Sequence, residues 1–391
     1  MNFLKRTWAV IHLDRLDANI DQITRRIPAG TGIMGVVKAD GYGHGDKYIA
    51  QELNRCGVNF FAVSNLEEAL SLRRGGIDSD ILILGFTPVS RAKDLCEYHI
   101  SQTLLSTEYA RLLEEECGRK DIRVKCHIKL DTGMGRIGIV EDEGHTAADE
   151  AEALCRLPHL DVEGIFTHLS SADSLDPDSV AYTRMQTESY QRVVEELERR
   201  GIRFHCRHLQ NSAGIGFLPQ TRWDYVRAGI IMYGVAPSGE PFPFPLRPVM
   251  ELKTVISLVK QIPAGAAISY NRKFISDRPM KVATVPIGYA DGYPRLLSNK
   301  AEMLVKGKRV PVIGNVCMDQ LMLDVTEIED VKMGDIVTVV GQDGNESIGF
   351  DELAALTGSI SYEMMCLIGR RVPRVYLRNE EQVAVVDYIQ N

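Results

Sequence analysis

The 391-residue sequence lacks the features that mark membrane, secreted and nucleic-acid-binding proteins. No apolar run approaches the roughly 20 residues that a membrane-spanning helix needs, and residues 1–14 contain no apolar signal segment. The eight cysteines include no C-x-x-C pair, which favours reduced thiols. With a net charge of −8, the chain also lacks the basic surplus of nucleic-acid binders. We therefore expect a cytoplasmic protein without a membrane or nucleic-acid partner, and no metal site is predicted.

The sequence also lacks internal repeats, low-complexity segments and a G-x-G-x-x-G turn after its first strands. A chain of this length exceeds one ordinary core, which favours two domains. The alternation of strand-like and helical patterns in the first part of the chain ends between Pro237 and Pro245, where four prolines exclude both helix and central strand. We predict a first domain over 12–240 and a second over 241–391, with the N-terminal strand 1–11 joined to the second.

Apolar runs and helical patterns alternate through the first domain. After a helix at Leu16–Ile27 that Asp14 would cap, each predicted strand precedes a helical pattern. The predicted strands are Ile33–Lys38, Asn59–Val63, Asp80–Leu84, Ser101–Leu105, Val124–Leu130, Val162–His168, Phe204–Gln210 and Tyr225–Ala228. About eight such units favour an α/β fold with a (β/α)8 TIM-type barrel. A doubly wound open sheet is the alternative, although it usually carries the G-x-G-x-x-G turn.

The second domain is predicted to be mainly β. Short strand-like runs with turn signals, such as Glu251–Val259 and Lys281–Pro286, dominate it. One helix, Phe350–Leu356, is expected to interrupt them.

The stretch Val36–Gly45, which reads VVKADGYGHG, places Lys38 at the end of a buried strand. Burial lowers the pKa of a lysine, and a neutral amine is both a nucleophile and a base. The glycines that follow let the backbone turn sharply and approach a ligand. An ordinary turn with a lysine that reaches solvent is the alternative explanation.

Polar residues and glycines follow several of the predicted barrel strands, at the end where barrel enzymes carry their chemistry. They are Lys38 and Tyr42; Lys129, Asp131, Met134 and Arg136; Thr167 and His168; Asn211 and Ser212; and Arg227, Gly229 and Ile230. Each has a structural explanation on its own; Asn211 and Ser212, for example, could cap a helix. Their convergence on one rim is what favours a site.

This rim fits pyridoxal phosphate. Barrels often bind phosphate after their last two strands, where Ser212 and Gly229 fall. Lys38 would form a Schiff base with the cofactor aldehyde. Arg227 would face the ring nitrogen and leave it unprotonated, because arginine keeps its own proton. The ring would then be a weaker electron sink, which favours return of the proton over transamination.

Several motifs resemble one family over essentially the whole chain. VVKADGYGHG, KLDTGMGR from Lys129, HLQNSA from His208, RAGIIMYG from Arg227, PIGYADG from Pro286 and NVCMDQ from Asn315 are similar to the pyridoxal-phosphate-dependent alanine racemases of fold type III. The resemblance implies a barrel, a β domain and a homodimer with shared active sites. It also implies interconversion of L- and D-alanine, which supplies D-alanine for peptidoglycan.

The resemblance implies a two-base mechanism. Lys38 would serve one face of the substrate Cα and Tyr270 of the partner subunit the other, because racemisation removes and returns a proton on opposite faces. A tyrosine with a pKa near 10 is a weak base at neutral pH and needs cationic help. His168 would lie between Tyr270 and Arg227.

The remaining site residues also come from the resemblance. Phosphate and cofactor contacts are Tyr42, Asn211, Ser212, Gly229, Ile230 and Tyr362; substrate contacts are Arg136, Met318 and Asp319; access-corridor residues are Asp173 and Tyr289. Lys129 corresponds to a lysine that carries a carbamate in some members, and a bound anion is the alternative there. Uncarbamylated, Lys129 beside Arg136 would be a like-charge pair.

The sequence departs from the family at Arg370, where many members carry tyrosine and where serine racemases also differ. A serine or broad-specificity racemase of the same fold is therefore the alternative function. A fold-type-III decarboxylase is disfavoured because the chain lacks that group's phosphate-binding glycine triplet. A non-catalytic pyridoxal phosphate carrier is disfavoured because such proteins lack a second domain.

Overall fold

The computed structural model describes residues 3–141, 147–219 and 223–390. Contacts divide the chain into two compact units. Unit 1 comprises Met1–Leu16, Tyr42–Gly45 and Arg247–Asn391, whereas unit 2 comprises Asp17–Gly41 and Asp46–Leu246. The domain limits drawn from the sequence stay a prediction. No described helix combines the length and apolar character needed to cross a lipid bilayer.

Unit 2 contains a closed barrel of eight parallel strands, which confirms the predicted fold class. In chain order the barrel strands are Gly32–Val36, Phe60–Val63, Asp80–Ile83, Ser101–Leu104, Val124–Asp131, Leu160–Phe166, Cys206–His208 and Tyr225–Ala228. The first strand pairs with the eighth, which closes the ring. Closure excludes the doubly wound open sheet. Strands such as Phe60–Val63 are buried throughout, as expected when both faces of a sheet are covered.

Helices follow the barrel strands, and several begin at capping side chains. The α-helices are Leu13–Arg26, Asp46–Arg55, Leu66–Arg74, Ala92–Glu97, Thr107–Lys120, Ala147–Cys155, Pro177–Arg199 and Ser212–Phe217. Asn65, Ser106 and Asp176 each accept a hydrogen bond from a backbone N–H of the first turn. The predicted cap at Asp14 is wrong, because the first strand runs directly into a helix that begins at Leu13. Asp14 lies in the first turn, where a carboxylate favours the helix dipole.

Unit 1 is mainly β, as predicted. Its strands are Thr7–His12, Met250–Val255, Leu258–Ile262, Ala267–Ile268, Phe274–Ile275, Met280–Val285, Glu302–Val305, Lys308–Ile313, Leu321–Asp324, Ile336–Asp343, Glu346–Ile348, Arg374–Arg378 and Glu381–Val386. The N-terminal strand pairs with Met250–Val255 on one side and Arg374–Arg378 on the other. This pairing explains why a strand from the start of the chain belongs to this unit.

Two details of the predicted β unit are wrong. The predicted strand Glu251–Val259 is two strands, because the chain leaves one partner at Ile256–Ser257 and pairs with Met280–Val285 from Leu258 onward. The unit has two described α-helices rather than one, Phe350–Thr357 and Ser361–Cys366. The second has only six residues, which is too short for a helical period to stand out in the sequence.

Candidate active site

Lys38 lies just after the first barrel strand, in a turn with an unusual backbone. Ala39, Asp40 and Gly41 have φ values of 53°, 55° and 59°, and Tyr42 follows at 52°. Three of these four residues carry a Cβ, so the turn costs about 1–2 kcal/mol at each of them. The glycines of the motif explain only part of this turn, because Gly41 is the one glycine among these four residues. Strain of this kind persists where surrounding contacts hold it, and it concentrates at functional sites.

Glu68 holds the turn in unit 2. One of its carboxylate oxygens accepts a hydrogen bond from the backbone N of Ala39 (2.8 Å), and the other accepts from the N of Ser64 (2.7 Å). None of the sequence motifs singled out Glu68. The available signal was the Asn65-x-x-Glu68 pattern of a capping box, in which the glutamate reaches back beyond the helix start.

Arg227 is a buried cation at the end of the barrel strand next to that of Lys38, opposite Met34 in register. It donates to the carbonyls of Thr167 (2.8 Å), Leu209 (3.1 Å) and His208 (3.2 Å). Among the described residues no carboxylate lies within ion-pair distance of it. Burial lowers the pKa of Arg227 to about 10, so the guanidinium stays charged at neutral pH.

Two imidazoles accept hydrogen bonds from Arg227. Nδ1 of His208 lies 2.8 Å from Nη1, and Nδ1 of His168 lies 3.2 Å from Nη2. Burial, followed by the charge of Arg227, holds the pKa of each histidine well below its usual range. His168 is therefore neutral, with its proton on Nε2 because arginine can only donate. The cationic charge here belongs to Arg227, not to His168.

The loops after the seventh and eighth barrel strands are joined by Ser212. Its hydroxyl accepts a hydrogen bond from the backbone N of Gly229 (2.9 Å), and Ile230 beyond is fully buried. Asn211 caps the short helix Ser212–Phe217, accepting from Gly214 N at 2.9 Å. Two of the predicted phosphate-binding segments therefore meet in unit 2.

Lys129 is 2% exposed at the end of the fifth barrel strand. Its ammonium donates to the carbonyl of Leu130 (2.5 Å) and lies 3.4 Å from that of Ile137. Burial, opposed by the charge of Asp131 and aided by the charges of Arg227 and Arg136, lowers the pKa of Lys129 to about 7. Arg136 itself lies on an exposed loop. The charge of Arg136 acts on Lys129 as expected for a like-charge pair, since it lowers the pKa of the amine.

We expect Lys129→Met to raise the free energy of unfolding by about 2 kcal/mol at pH 6 in buffer free of bicarbonate. In the folded chain the amine has a pKa of about 7, against 10.5 for the free side chain. Below pH 7 both states hold the proton, and folding carries the full cost of burying charge. Between pH 7 and 10.5 only the unfolded state keeps the proton on Lys129, so the free energy of unfolding of the wild type rises with pH. The difference in stability between Lys129→Met and the wild type therefore disappears.

Urea unfolding at pH 6, 8 and 10 measures this effect. Lys125→Met is the matched control, because Lys125 lies on the same strand with its side chain 46% exposed. An advantage of Lys129→Met that stays constant with pH would contradict the burial of a titrating amine.

Tyr270 lies in unit 1 on a distorted backbone and is 68% exposed. Ser269, Asn271 and Arg272 have φ values of 64°, 58° and 50°. Asn315 holds the segment: its side chain donates to the carbonyl of Tyr270 (2.8 Å), and its own carbonyl accepts from the Ser269 hydroxyl (2.7 Å). An exposed aromatic ring on a constrained turn is unusual for a residue with a purely structural role.

Tyr270, Met318 and Asp319 line one groove of about 690 Å³ in unit 1, with Leu258 at its edge. Met318 and Asp319 belong to the NVCMDQ motif, whereas Tyr270 lies far from it in the sequence, so the fold brings Tyr270 to the other two. Met318 and Leu258 are 53% and 50% exposed, which leaves an open apolar surface around the phenol.

Asp319 is held by Arg371 at 2.8 Å, and Arg371 also lies 3.6 Å from Asp291. Asp291 ends the turn Tyr289–Asp291, in which Tyr289 is 43% exposed. Arg371 lies outside the motifs that predicted the site. Elsewhere Arg370 is exposed, and Asp173 lies half-buried in unit 2.

Tyr42 and Tyr362 approach each other in unit 1, with ring centroids 6.0 Å apart. Burial raises the pKa of the Tyr42 phenol strongly, and Tyr362 and Cys366 raise it further. Tyr42 is therefore a neutral hydroxyl that can donate a hydrogen bond.

Comparisons with known proteins agree with this geometry. A family model described as "Alanine racemase, N-terminal domain" matches residues 11–237, and "Alanine racemase, C-terminal domain" matches 249–376. The chain belongs to the alanine racemase family. The prediction of this family, and of an amino-acid racemase, is thereby confirmed.

Individual family members match almost the whole chain. Alanine racemase 1 of Clostridium acetobutylicum is 41% identical over 388 residues, which are 99% of each chain. The structure of the alanine racemase of Clostridium difficile 630 has a TM-score of 0.92 at 37% identity, covering 99% of this chain and 100% of that one. A histidine racemase from Leuconostoc mesenteroides has a TM-score of 0.86 at 27% identity, covering 96% and 99%. The fold therefore serves more than one substrate.

Proposed function

We propose that the protein interconverts L- and D-alanine with pyridoxal phosphate as its cofactor, and that this D-alanine supplies peptidoglycan synthesis. The observation that carries the proposal is the pair Lys38 and Arg227, at the same end of neighbouring barrel strands in a chain of the alanine racemase family. A location in the cytoplasm stays the prediction made from the sequence.

The residues of unit 2 fit this cofactor. Lys38 would hold its aldehyde carbon, Asn211, Ser212, Gly229 and Ile230 would surround its phosphate, and Arg227 would donate to its ring nitrogen. Arg227 suits that role because its pKa of about 10 keeps it a donor and it has no carboxylate partner among the described residues. When bound, pyridoxal phosphate supplies an electron-accepting ring that stabilises negative charge at the substrate Cα.

We assign proton transfer to two side chains. Lys38 moves the proton on one face of Cα, and Tyr270 of the partner subunit moves it on the other. His168 orients the phenol through its Nε2 proton, since Nδ1 is occupied by Arg227. We assign the cationic help that this phenol needs to Arg227, because His168 is neutral.

The other roles follow from the family resemblance. We assign Arg136, Met318 and Asp319 to substrate binding, Tyr42 and Tyr362 to the phosphate, and Asp173 and Tyr289 to the access corridor. Lys129 is the proposed carbamate site, which its pKa of about 7 supports, because the unprotonated fraction of the amine reacts with carbon dioxide.

We propose a homodimer in which each site combines one barrel with the partner's β domain. Support comes from the groove around Tyr270, which exposes apolar side chains and a phenol with a constrained backbone. Exposed apolar surface of this kind is typical of protein interfaces.

The function is tested with a panel of L-alanine, L-serine, L-histidine and L-lysine, followed by optical rotation in deuterated water. We expect racemisation of alanine with incorporation of deuterium at Cα. Serine or histidine as the better substrate would favour the broad-specificity alternative, which the similarity to a histidine racemase keeps open. Loss of carbon dioxide from any of them would favour a decarboxylase.

Cofactor attachment is tested separately from turnover. The purified protein should be yellow. Reduction with borohydride should attach the cofactor covalently to Lys38, and peptide mass analysis should detect the modified lysine. A colourless protein that takes up no pyridoxal phosphate would overturn the proposal.

A further inference from the structure

Arg374 is a buried cation in unit 1 that the proposed mechanism does not use. It is 1% exposed, and among the described residues no carboxylate pairs with it. Burying an unpaired charge costs several kcal/mol unless hydrogen bonds compensate. An arginine in such a position therefore points to a need for its rigid fork of donors.

The guanidinium binds four backbone carbonyls from two segments. Nη2 donates to Ile368 (2.7 Å), and Nη1 donates to Gly369 (2.7 Å) and Val372 (2.5 Å). Nε donates to Gly43 (2.9 Å). Arg374, which lies 331 positions after Gly43 in the sequence, thus ties Gly43 to the loop 368–372.

The segment Tyr42–Gly45 is held at further points in the same unit. The Tyr376 hydroxyl donates to the carbonyl of His44 (2.9 Å). A Cβ at Gly43 would overlap the carbonyl of Met365, and one at Gly45 would overlap the Tyr376 hydroxyl. These close approaches leave the segment little freedom. They also provide what the unfavourable φ of 52° at Tyr42 requires, namely contacts that hold it in place.

Tyr362 lies close in sequence to the loop 368–372 that Arg374 holds. It lies on the helix Ser361–Cys366, directly before the loop 368–372, and its ring faces that of Tyr42 at 6.0 Å. Arg374 therefore joins the residue that follows Tyr42 to the loop that follows the helix of Tyr362.

We propose that Arg374 is a positioning residue that sets the Tyr42–Tyr362 pair for a phosphate group. The proposal rests on the proposed function, in which both phenols face the cofactor phosphate. Lysine cannot replace this arginine, because an ammonium has only three N–H donors and the guanidinium binds four carbonyls.

The test compares the affinities of the full-length protein for pyridoxal phosphate and for pyridoxal, which lacks the phosphate. We expect Arg374→Lys to weaken binding of pyridoxal phosphate about tenfold and to leave binding of pyridoxal within about twofold of the wild type. Arg378→Lys is the matched control, since Arg378 lies on the same strand. In a Tyr42→Phe background, Arg374→Lys should cause little further loss, because the hydroxyl that it positions is gone.

The outcomes separate the two proposals. A wild-type protein that binds neither compound would overturn the proposed function. A wild type that prefers pyridoxal phosphate, with an equal loss of both affinities in Arg374→Lys, would reduce Arg374 to a structural residue. If circular dichroism shows that this variant does not fold, the affinities for pyridoxal phosphate and pyridoxal are compared in Tyr376→Phe instead. That substitution removes the hydrogen bond to the His44 carbonyl and leaves Arg374 in place.

Discussion

Lys38→Ala should reduce racemisation at least about 10⁴-fold, because it removes both the amine that holds the cofactor and one of the two bases. The strained turn after Lys38 is retained in this variant, since Glu68 binds the backbone of Ala39 rather than the lysine side chain. We therefore expect the melting temperature to stay within a few degrees of the wild type. The measurement is the loss of optical rotation of L-alanine by the cofactor-loaded protein.

Lys47→Ala is the control for this substitution. Lys47 is an exposed lysine on the next helix, Asp46–Arg55, and should keep full activity. Added methylamine should restore part of the activity of Lys38→Ala, because it returns an amine to the vacated space. Retention of a tenth or more of wild-type turnover without added amine would contradict the role of Lys38.

Tyr270→Phe should suppress exchange of the α-proton with deuterated water about 10²–10⁴-fold for one enantiomer of alanine and much less for the other. Racemisation itself must fall equally in both directions, since the two enantiomers have equal free energy. Exchange distinguishes the two bases, because removal of the α-proton from one enantiomer requires only the base on the face that carries this proton. The backbone of the turn is held by Asn315 and Ser269, which a phenylalanine leaves untouched.

Deuterium incorporation by mass spectrometry, started from each enantiomer, measures this asymmetry. Tyr98→Phe is the control, because Tyr98 is a 43% exposed tyrosine of unit 2 outside the proposed site. Equal loss of exchange from both enantiomers would remove the two-base assignment.

Co-expression of the two variants tests the shared site of the proposed dimer. In a mixed dimer one site would combine the intact Lys38 of one chain with the intact Tyr270 of the other. Random pairing should therefore return about a quarter of wild-type activity. No recovery would mean that each active site is built from one chain.

The sequence located the barrel because its strands are short, apolar and separated by helical patterns. Strand positions from Phe60 to Arg227 were predicted within a few residues, since buried parallel strands read as continuous apolar runs. It also grouped Lys38, Arg227 and Ser212, because residues that follow successive barrel strands share one rim. Composition and motif together thus predicted the fold class and the family, which the structure and the comparisons confirm.

Contacts between distant residues could not be predicted in this way. Examples are the left-handed turn at Ala39 and Asp40, the hydrogen bond of Glu68 to that turn, and the hydrogen bond of Arg374 to Gly43. Each bond joins residues that are far apart in the sequence, and no periodic pattern marks them. Local patterns report burial and period, whereas these pairs depend on how separate segments pack.

By itself the sequence determined that the chain forms a closed barrel followed by a β unit, and that a lysine and an arginine stand on neighbouring strands. Only the tertiary structure decided the protonation states of the site residues. His168 is neutral beside a charged Arg227, and Lys129 has a pKa of about 7. The physical reason is that a pKa depends on desolvation and on nearby charge, and both are properties of the folded surroundings.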